Sequence, residues 1–138
     1  MTYSVPAVVL GAVALIEESA ENFVSFFKYD CRQMLELHRA VADNHDLAGE
    51  LIPRIHALSY SIKSRAGMFG YECASLIAGS LNHFTRRSPA QNLSPYLLVV
   101  EKHLESLGII LHQDIKGLGG AIGQELLQKL TELTKKFG

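Results

Sequence analysis

Apolar side chains recur every three or four positions along most of this chain, which is the spacing of one face of an α-helix. Between residues 19 and 43, the residues in this register are Phe23, Phe27, Cys31, Met34, Leu37 and Val41. Comparable registers predict four further helices, at residues 47–66, 71–86, 96–115 and 121–137, and no segment alternates regularly enough to predict a β-strand. In the third helix the inward residues are predicted to be Cys73, Leu76, Ile77, Leu81 and Phe84. We therefore expect an all-α fold, most simply an antiparallel four-helix bundle with additional helical segments at both ends of the chain.

Capping residues, prolines and glycines indicate where the predicted helices end. Ser19 is a candidate N-cap of the first helix, and Pro53 either opens the second helix or kinks it. Residues 88–95, with two prolines, are predicted to form a loop. Residues 116–123 hold four glycines. Because no strand precedes them and no Gly-Lys-Ser/Thr sequence ends them, we interpret this segment as a flexible joint between helices rather than a phosphate-binding loop.

An apolar run at residues 5–16 precedes the first predicted helix. It is too short to cross a bilayer, which takes about 20 residues. It also lacks the preceding basic residues of a signal peptide. We expect this run to be a short buried segment that packs across the bundle.

Length, charge and the cysteine and histidine residues argue against several classes of protein. The 138 residues fit a single domain covering residues 1–138, and a formal net charge of −1 gives no indication of a nucleic-acid or membrane partner. Cys31 and Cys73 have no Cys-x-x-Cys spacing, so we interpret both as core residues of a protein in the reducing cytoplasm. None of the six histidines has a metal-binding spacing, so we expect no metal and no cofactor, and we place most of these histidines at the surface.

The helix predicted at residues 47–66 has an apolar side and a polar side. At about 100° per residue, the apolar side carries Leu51, Ile55, Leu58 and Ile62. The opposite side carries His56, Tyr60, Lys63 and Ser64, joined by Gly67 if the helix extends that far. Position 60 is therefore predicted to face solvent or a partner rather than the core.

Residues 56–71, which include this polar side, resemble the signature of histidine-phosphotransfer (HPt) domains, the phosphorelay modules that exchange a phosphoryl group with response regulators. The signature has a histidine, a lysine three positions later followed directly by a glycine, then small residues, and a glycine ten positions after the histidine. Lys63 and Gly70 stand at the matching offsets from residue 60, where this chain has Tyr60, and Ser64, which is also small, stands where the signature has its first glycine. The resemblance assigns partner binding to Tyr60, Lys63, Ser64, Arg65, Gly67 and Gly70. It also implies that Arg65 is a second cation beside Lys63.

The resemblance extends beyond this signature to a group of small, stand-alone alphaproteobacterial HPt-like proteins. The residues that carry it lie at 62–71, 76–81 and 114–127, and the similarity covers about residues 20–135. It implies an HPt-like helical fold and a role in two-component signalling. The partner that it implies is the receiver domain of a response regulator, a histidine kinase, or both.

Tyr60 decides which function the resemblance implies. A tyrosine phenol is neutral at neutral pH and a poor nucleophile, and its phosphate ester would not readily return the group to an aspartate. We therefore expect a degenerate member that is not an enzyme and that binds its partner without transferring phosphate. Two alternatives remain open. His56, one turn before Tyr60, could be a displaced phosphoryl acceptor, or the chain could be a helical interaction protein unrelated to phosphorelays.

Overall fold

The computed structural model of the chain describes residues 7–87, 89 and 93–137, without the side chains of residues 12–20. The described residues form helices joined by turns, with no strand among them, which confirms the predicted all-α class. The α-helices are α1 (Ala7–Asp43), α2 (Ala48–Ala66), α3 (Glu72–Phe84), α4 (Leu93–Gln113) and α5 (Gly120–Phe137). Two short 3₁₀ turns, His45–Leu47 and Gly67–Phe69, lie before and after α2.

A single hydrophobic core joins the helices. Helix α1 packs against α2 and α4, α3 packs against the same two helices, and α5 packs against α3 and α4. The largest side chains with almost no exposure are Phe27, Met34, Ile55, Ile62, Ile77, Leu81, Leu107 and Ile110. All six apolar positions predicted for α1 between residues 19 and 43 are buried, so that register is confirmed. Each such side chain contributes about 1.5–3 kcal/mol by leaving water.

The start of α1 differs from the prediction. The helix is continuous from Ala7, so Ser19 lies inside it and is not an N-cap. The expected buried segment is also wrong where side chains are described, because Val8 is 78 % exposed and Leu10 is 58 % exposed. No proline and no strong helix breaker separates the apolar run from the register that follows, so the helix continues through both. The first two residues of the run, 5 and 6, lie outside the described residues.

Of the two alternatives for Pro53, that it opens α2 is wrong, because it lies within the helix, five residues after its start. One orientation and one boundary were also not predicted correctly. Leu76, predicted to point inward, is 51 % exposed. The predicted loop at 88–95 ends earlier than expected, because α4 begins at Leu93. Pro95 lies in the first turn of α4, where the missing N–H of proline costs no helical hydrogen bond. Residues 88 and 90–92 of that loop lie outside the described residues.

The segment between α4 and α5, residues 114–119, is called the glycine joint below. It connects helices as expected, and two backbone hydrogen bonds tie it to the residues between α2 and α3 and at the start of α3. The Gly117 N–H donates to the Gly70 carbonyl oxygen at 2.6 Å, and the Cys73 N–H donates to the Gly117 carbonyl oxygen at 2.8 Å. Gly117 and Gly119 have φ angles of 60° and 79°, which glycine adopts without the steric penalty of a Cβ. The glycine joint thereby fixes the start of α5 against the turn between α2 and α3.

No described helix combines the length and the apolar composition that a membrane crossing requires.

Candidate docking face on α2

The polar side of α2 points outward, as predicted. This outer face consists of His56, Tyr60, Lys63, Ser64 and Gly67. Tyr60 is 59 % exposed, and Lys63, Ser64 and Gly67 are also exposed, whereas His56 is half-buried. The predicted orientation of position 60 is therefore confirmed.

The Lys63 side chain lies along α3 at Gly79, a position where α3 has no side chain. A Cβ added at Gly79 would lie 3.5 Å from Lys63 Cδ and 3.6 Å from its Cε, so the lysine stem lies along the bare backbone of α3. The Ser75 hydroxyl donates to the Lys63 carbonyl oxygen at 2.8 Å and ties the two helices together at this point. Among the described residues, no carboxylate pairs with the Lys63 ammonium group. The stem is thus positioned by the fold, while the charge stays available to a partner.

Ser64 and Gly67 are small, so no long side chain protrudes from the outer face beyond Lys63. The Ser64 hydroxyl donates to the Ser61 carbonyl oxygen of its own helix at 3.1 Å. A Cβ at Gly67 would meet its nearest atom, the Ser75 hydroxyl oxygen, only at 3.9 Å. Neither residue reaches across the surface, so a partner can approach α2 closely here.

Gly70 belongs to the turn after α2 and not to the outer face. Its φ of 88° lies in the left-handed region that glycine adopts readily. Its N–H donates to the Gly67 carbonyl oxygen at 3.2 Å, and its own carbonyl oxygen accepts from Gly117. Gly70 therefore shapes the chain reversal and anchors the glycine joint.

Arg65 does not stand beside Lys63, so the predicted pair of cations on the outer face is wrong. Its guanidinium donates to the Ser61 hydroxyl at 2.5 Å, lies 3.7 Å from an Asp30 carboxylate oxygen, and lies 5.2 Å from the centre of the Phe26 ring on α1. Five residues along a helix correspond to about 140° of rotation from Tyr60, which turns Arg65 towards α1. Burial raises the pKa of the Asp30 carboxyl, and the Arg65 charge opposes that rise.

Three histidines are not the exposed residues that the sequence suggested, and one of them is half-buried His38, whose Nε2 lies 2.9 Å from the Leu97 carbonyl oxygen. His56 is half-buried, and its Nδ1 lies 3.1 Å from the Thr85 hydroxyl of α3. His103 is fully buried: its Nε2 lies 2.8 Å from the Ser80 hydroxyl and its Nδ1 lies 2.8 Å from the Val99 carbonyl oxygen. Burial lowers the pKa of His103 and favours the neutral imidazole. The signal was present for His103, because it shares a helical register with Val99, Val100 and Leu107.

Exposed apolar side chains border the outer face, and the sequence analysis did not find them. Leu76 lies one turn before Gly79 on α3, and Met68, in the 3₁₀ turn after α2, is 78 % exposed. Tyr60, Met68 and Leu76 are thus exposed apolar side chains on α2, on α3 and in the turn between the two helices. Exposed apolar groups that surround a charged group are typical of surfaces that bind other proteins.

The outer face offers the Tyr60 phenol, the Lys63 ammonium group and the imidazole of half-buried His56. Within the described part of the chain, no three His, Cys, Asp or Glu side chains lie close enough together to hold a metal ion. Comparison with protein-family models, with curated proteins and with solved structures finds no match to this chain.

Proposed function

We propose that this chain is an HPt-like protein of two-component signalling that binds receiver domains or histidine kinases in the cytoplasm and transfers no phosphate at residue 60. The observation that carries the proposal is the exposed Tyr60 ring one turn before Lys63, whose stem lies along Gly79. This is the position in which the HPt signature expects a histidine beside a lysine. A phenol there keeps the shape of the docking surface but lacks the nucleophilic nitrogen.

The packing of the helices supports an HPt-like arrangement. Helices α1 to α4 follow one another in space as they do in sequence, and α1 returns to contact α4. An antiparallel four-helix bundle has these neighbours. Helix α5 and the first turns of α1 are then the additional segments at the two ends. In this arrangement α2 and α3 present the outer face on one side of the bundle.

Charge and surface composition support an acidic protein partner. The Lys63 ammonium group has no carboxylate partner among the described residues and can approach an aspartate or an aspartyl phosphate. Exposed Leu76 on α3 and Met68 in the turn after α2 offer apolar contact area on the same two-helix segment. Protein interfaces of ordinary size combine such an apolar centre with a polar rim over about 1,600 Å² in total.

Calorimetric titration with purified receiver domains and kinase domains from the same organism tests the docking function. We expect binding, and we expect Lys63→Gln to weaken it about tenfold because the variant loses an interfacial charge. Lys116→Gln is the matched control. Lys116 belongs to the glycine joint, and its ammonium group lies over the buried Tyr71 ring rather than on the outer face. If no receiver or kinase binds, the chain is better explained as a helical interaction protein outside phosphorelays.

A phosphotransfer assay that compares the Tyr60→His variant with the wild-type protein tests the role of residue 60 separately. The substitution supplies the missing ring nitrogen on an exposed position beside Lys63, so we expect the variant to take up label at residue 60 from a phosphorylated receiver. Wild type should carry no label on Tyr60. Label on Tyr60 of the wild-type protein would contradict the proposal, whatever the binding result.

A further inference from the structure

The first turns of α1 extend beyond the helix that packs against it. The Phe23 ring stacks on the Phe69 ring at 4.9 Å, and Phe69 lies in the 3₁₀ turn that follows α2. Arg65, four residues earlier in the chain, pairs with Asp30, so α1 and α2 are antiparallel and α2 ends at the level of Phe23. Residues 7–22, called the α1 extension below, therefore project about 24 Å past the end of α2, at about 1.5 Å per residue.

The first ten residues of the α1 extension are apolar around the whole helix. Every residue from 7 to 16 is apolar or glycine, and successive helical residues are rotated by about 100°, so this stretch has no polar side. The tip of the extension, Val8, Val9 and Leu10, is exposed. A helix that is apolar on every side is normally buried. The tip therefore needs a second apolar surface to leave water.

The end of the bundle from which the α1 extension projects has exposed apolar side chains of its own. Leu118 in the glycine joint is 61 % exposed, and Ile122 in the first turn of α5 is 48 % exposed. The glycine joint is hydrogen-bonded to Gly70, which directly follows Phe69, so both side chains lie at this end and outside the outer face of α2. Helix α1 is continuous, so the extension cannot fold back onto them in the same chain.

The charge of this part of the chain argues against a lipid surface as the partner of the α1 extension. Residues 1–27 contain three glutamates and no lysine or arginine. Helices that lie on anionic membranes are attracted there by basic residues. A second copy of the chain, by contrast, offers both an apolar helix and an apolar bundle end.

We propose that the chain forms a two-fold dimer in which the two α1 extensions pair antiparallel and the tip of each covers Leu118 and Ile122 of the second copy. Each copy gives one extension and receives one, so the assembly closes at two copies. Pairing two helices about 24 Å long and about 10 Å across, with both tips seated, buries on the order of 1,000 Å² in total, near the lower limit for a specific interface. The dimer should therefore dissociate on dilution. The proposal does not depend on docking at Tyr60.

Sedimentation of the full chain over a range of concentrations tests the dimer. We expect the mass of two chains at high concentration and of one chain on dilution. Leu10→Gln and Leu118→Gln, one on each side of the contact, should each weaken the dimer about tenfold or more, because each buries an amide without a partner. Leu35→Gln is the matched control, since Leu35 is an exposed leucine of the same helix outside the α1 extension, and it should leave the dimer unchanged. Circular dichroism establishes that each variant is folded.

Disulfide cross-linking tests the arrangement of the two copies. The native cysteines are buried, so a mixture of Val8→Cys chains and Leu118→Cys chains should form a mixed disulfide-linked pair under mild oxidation. Val8→Cys chains that cross-link only with each other would show parallel pairing and overturn the arrangement.

Three results would overturn the dimer itself. They are a wild-type chain that sediments as a monomer at every concentration, a Leu10→Gln variant that dimerises like wild type, and a monomer that binds phosphatidylcholine vesicles through the α1 extension. None of them bears on the titration with receiver and kinase domains, so the docking function stands or falls separately.

Discussion

The chain contains two tyrosines that each lie beside a lysine, and the surroundings of the two pairs are opposite. Tyr71 is 3 % exposed, its hydroxyl donates to Asp114 at 2.6 Å, and the Lys116 ammonium group lies 4.1 Å from the centre of its ring. Tyr60 is 59 % exposed, and its hydroxyl makes no hydrogen bond with the described residues. The first pair is tied to the glycine joint, whereas Tyr60 and Lys63 are exposed to solvent.

The same two residue types thus stabilise the core in one place and form the surface that we propose for recognition in another. Tyr71 packs against Phe23 and Phe27 at centroid distances of 5.8 and 6.1 Å, so it belongs to an aromatic cluster of the core. Tyr60 extends from the outer face of α2. A residue with few internal contacts contributes little to folding, so its exposure is better explained by a partner than by stability.

The largest expected effect is the difference in the free energy of unfolding between variants that lack the Tyr71 ring and variants that lack the Tyr60 ring. Tyr71→Ala is expected to lower the free energy of unfolding by about 3–5 kcal/mol, because it leaves a cavity in the aromatic cluster and an unpaired Asp114. Tyr60→Ala should change it by less than about 0.5 kcal/mol. Urea unfolding followed by circular dichroism measures both. If both variants lost the same free energy of unfolding, the two tyrosines would contribute equally to stability and the comparison would be wrong.

Two glycines, Gly123 next to the glycine joint and Gly79 beside the Lys63 stem, should also respond in opposite ways. Gly123→Ala places a Cβ against the Leu118 carbonyl oxygen and 3.3 Å from Cys73 Sγ, so we expect a loss of about 2–3 kcal/mol from overpacking. Gly79→Ala places its Cβ in ordinary contact with the Lys63 stem, and higher helix propensity should stabilise the protein by about 0.5–1 kcal/mol. Thermal unfolding of the pair measures the difference. Two losses of similar size would show that Lys63 is packed as rigidly as the joint.

The smallest expected effect is the stability that the Tyr71 hydroxyl contributes, and this contribution depends on pH. At neutral pH, Tyr71→Phe should cost about 1 kcal/mol, the usual net value of one hydrogen bond. Burial, followed by the hydrogen bond to Asp114, raises the pKa of Tyr71 above 10.0. As pH rises past 10.0, the unfolded chain therefore loses its phenolic proton first, and the folded protein loses stability. The wild-type advantage over Tyr71→Phe should shrink in that window. A constant difference at neutral and alkaline pH would contradict this account.

Much of the fold was predictable because burial repeats with the helical period. The buried register of α1 from Phe23 to Val41, and Ile55 and Ile62 on α2, could be identified by spacing alone. The same spacing predicted that Tyr60 points outward. These are properties of one helix at a time, and they need no knowledge of what packs beside it.

The errors arose where a neighbouring helix decides the environment. Arg65 turns to Asp30, and His56 is bound by Thr85, because α1 and α3 supply those partners. Leu76 shares an apolar stretch with Ile77 but lies on the other flank of α3, towards solvent. The start of α1 was missed for a different reason, since an apolar run without a breaker reads equally well as a separate buried segment or as more helix.

The contact between Gly123 and Cys73 makes the native thiol a reporter on α5. Cys73 is fully buried, with the Gly123 backbone directly beside it, and burial raises its pKa, so the reactive thiolate is suppressed while α5 stays docked. Cys31 lies on the core-facing side of α1, where burial raises its pKa to about 12. Modification of Cys73 ahead of Cys31 by a thiol reagent would thus measure detachment of the C-terminal helix on its own, without any engineered label. Simultaneous modification would mean that this helix leaves only when the whole molecule unfolds.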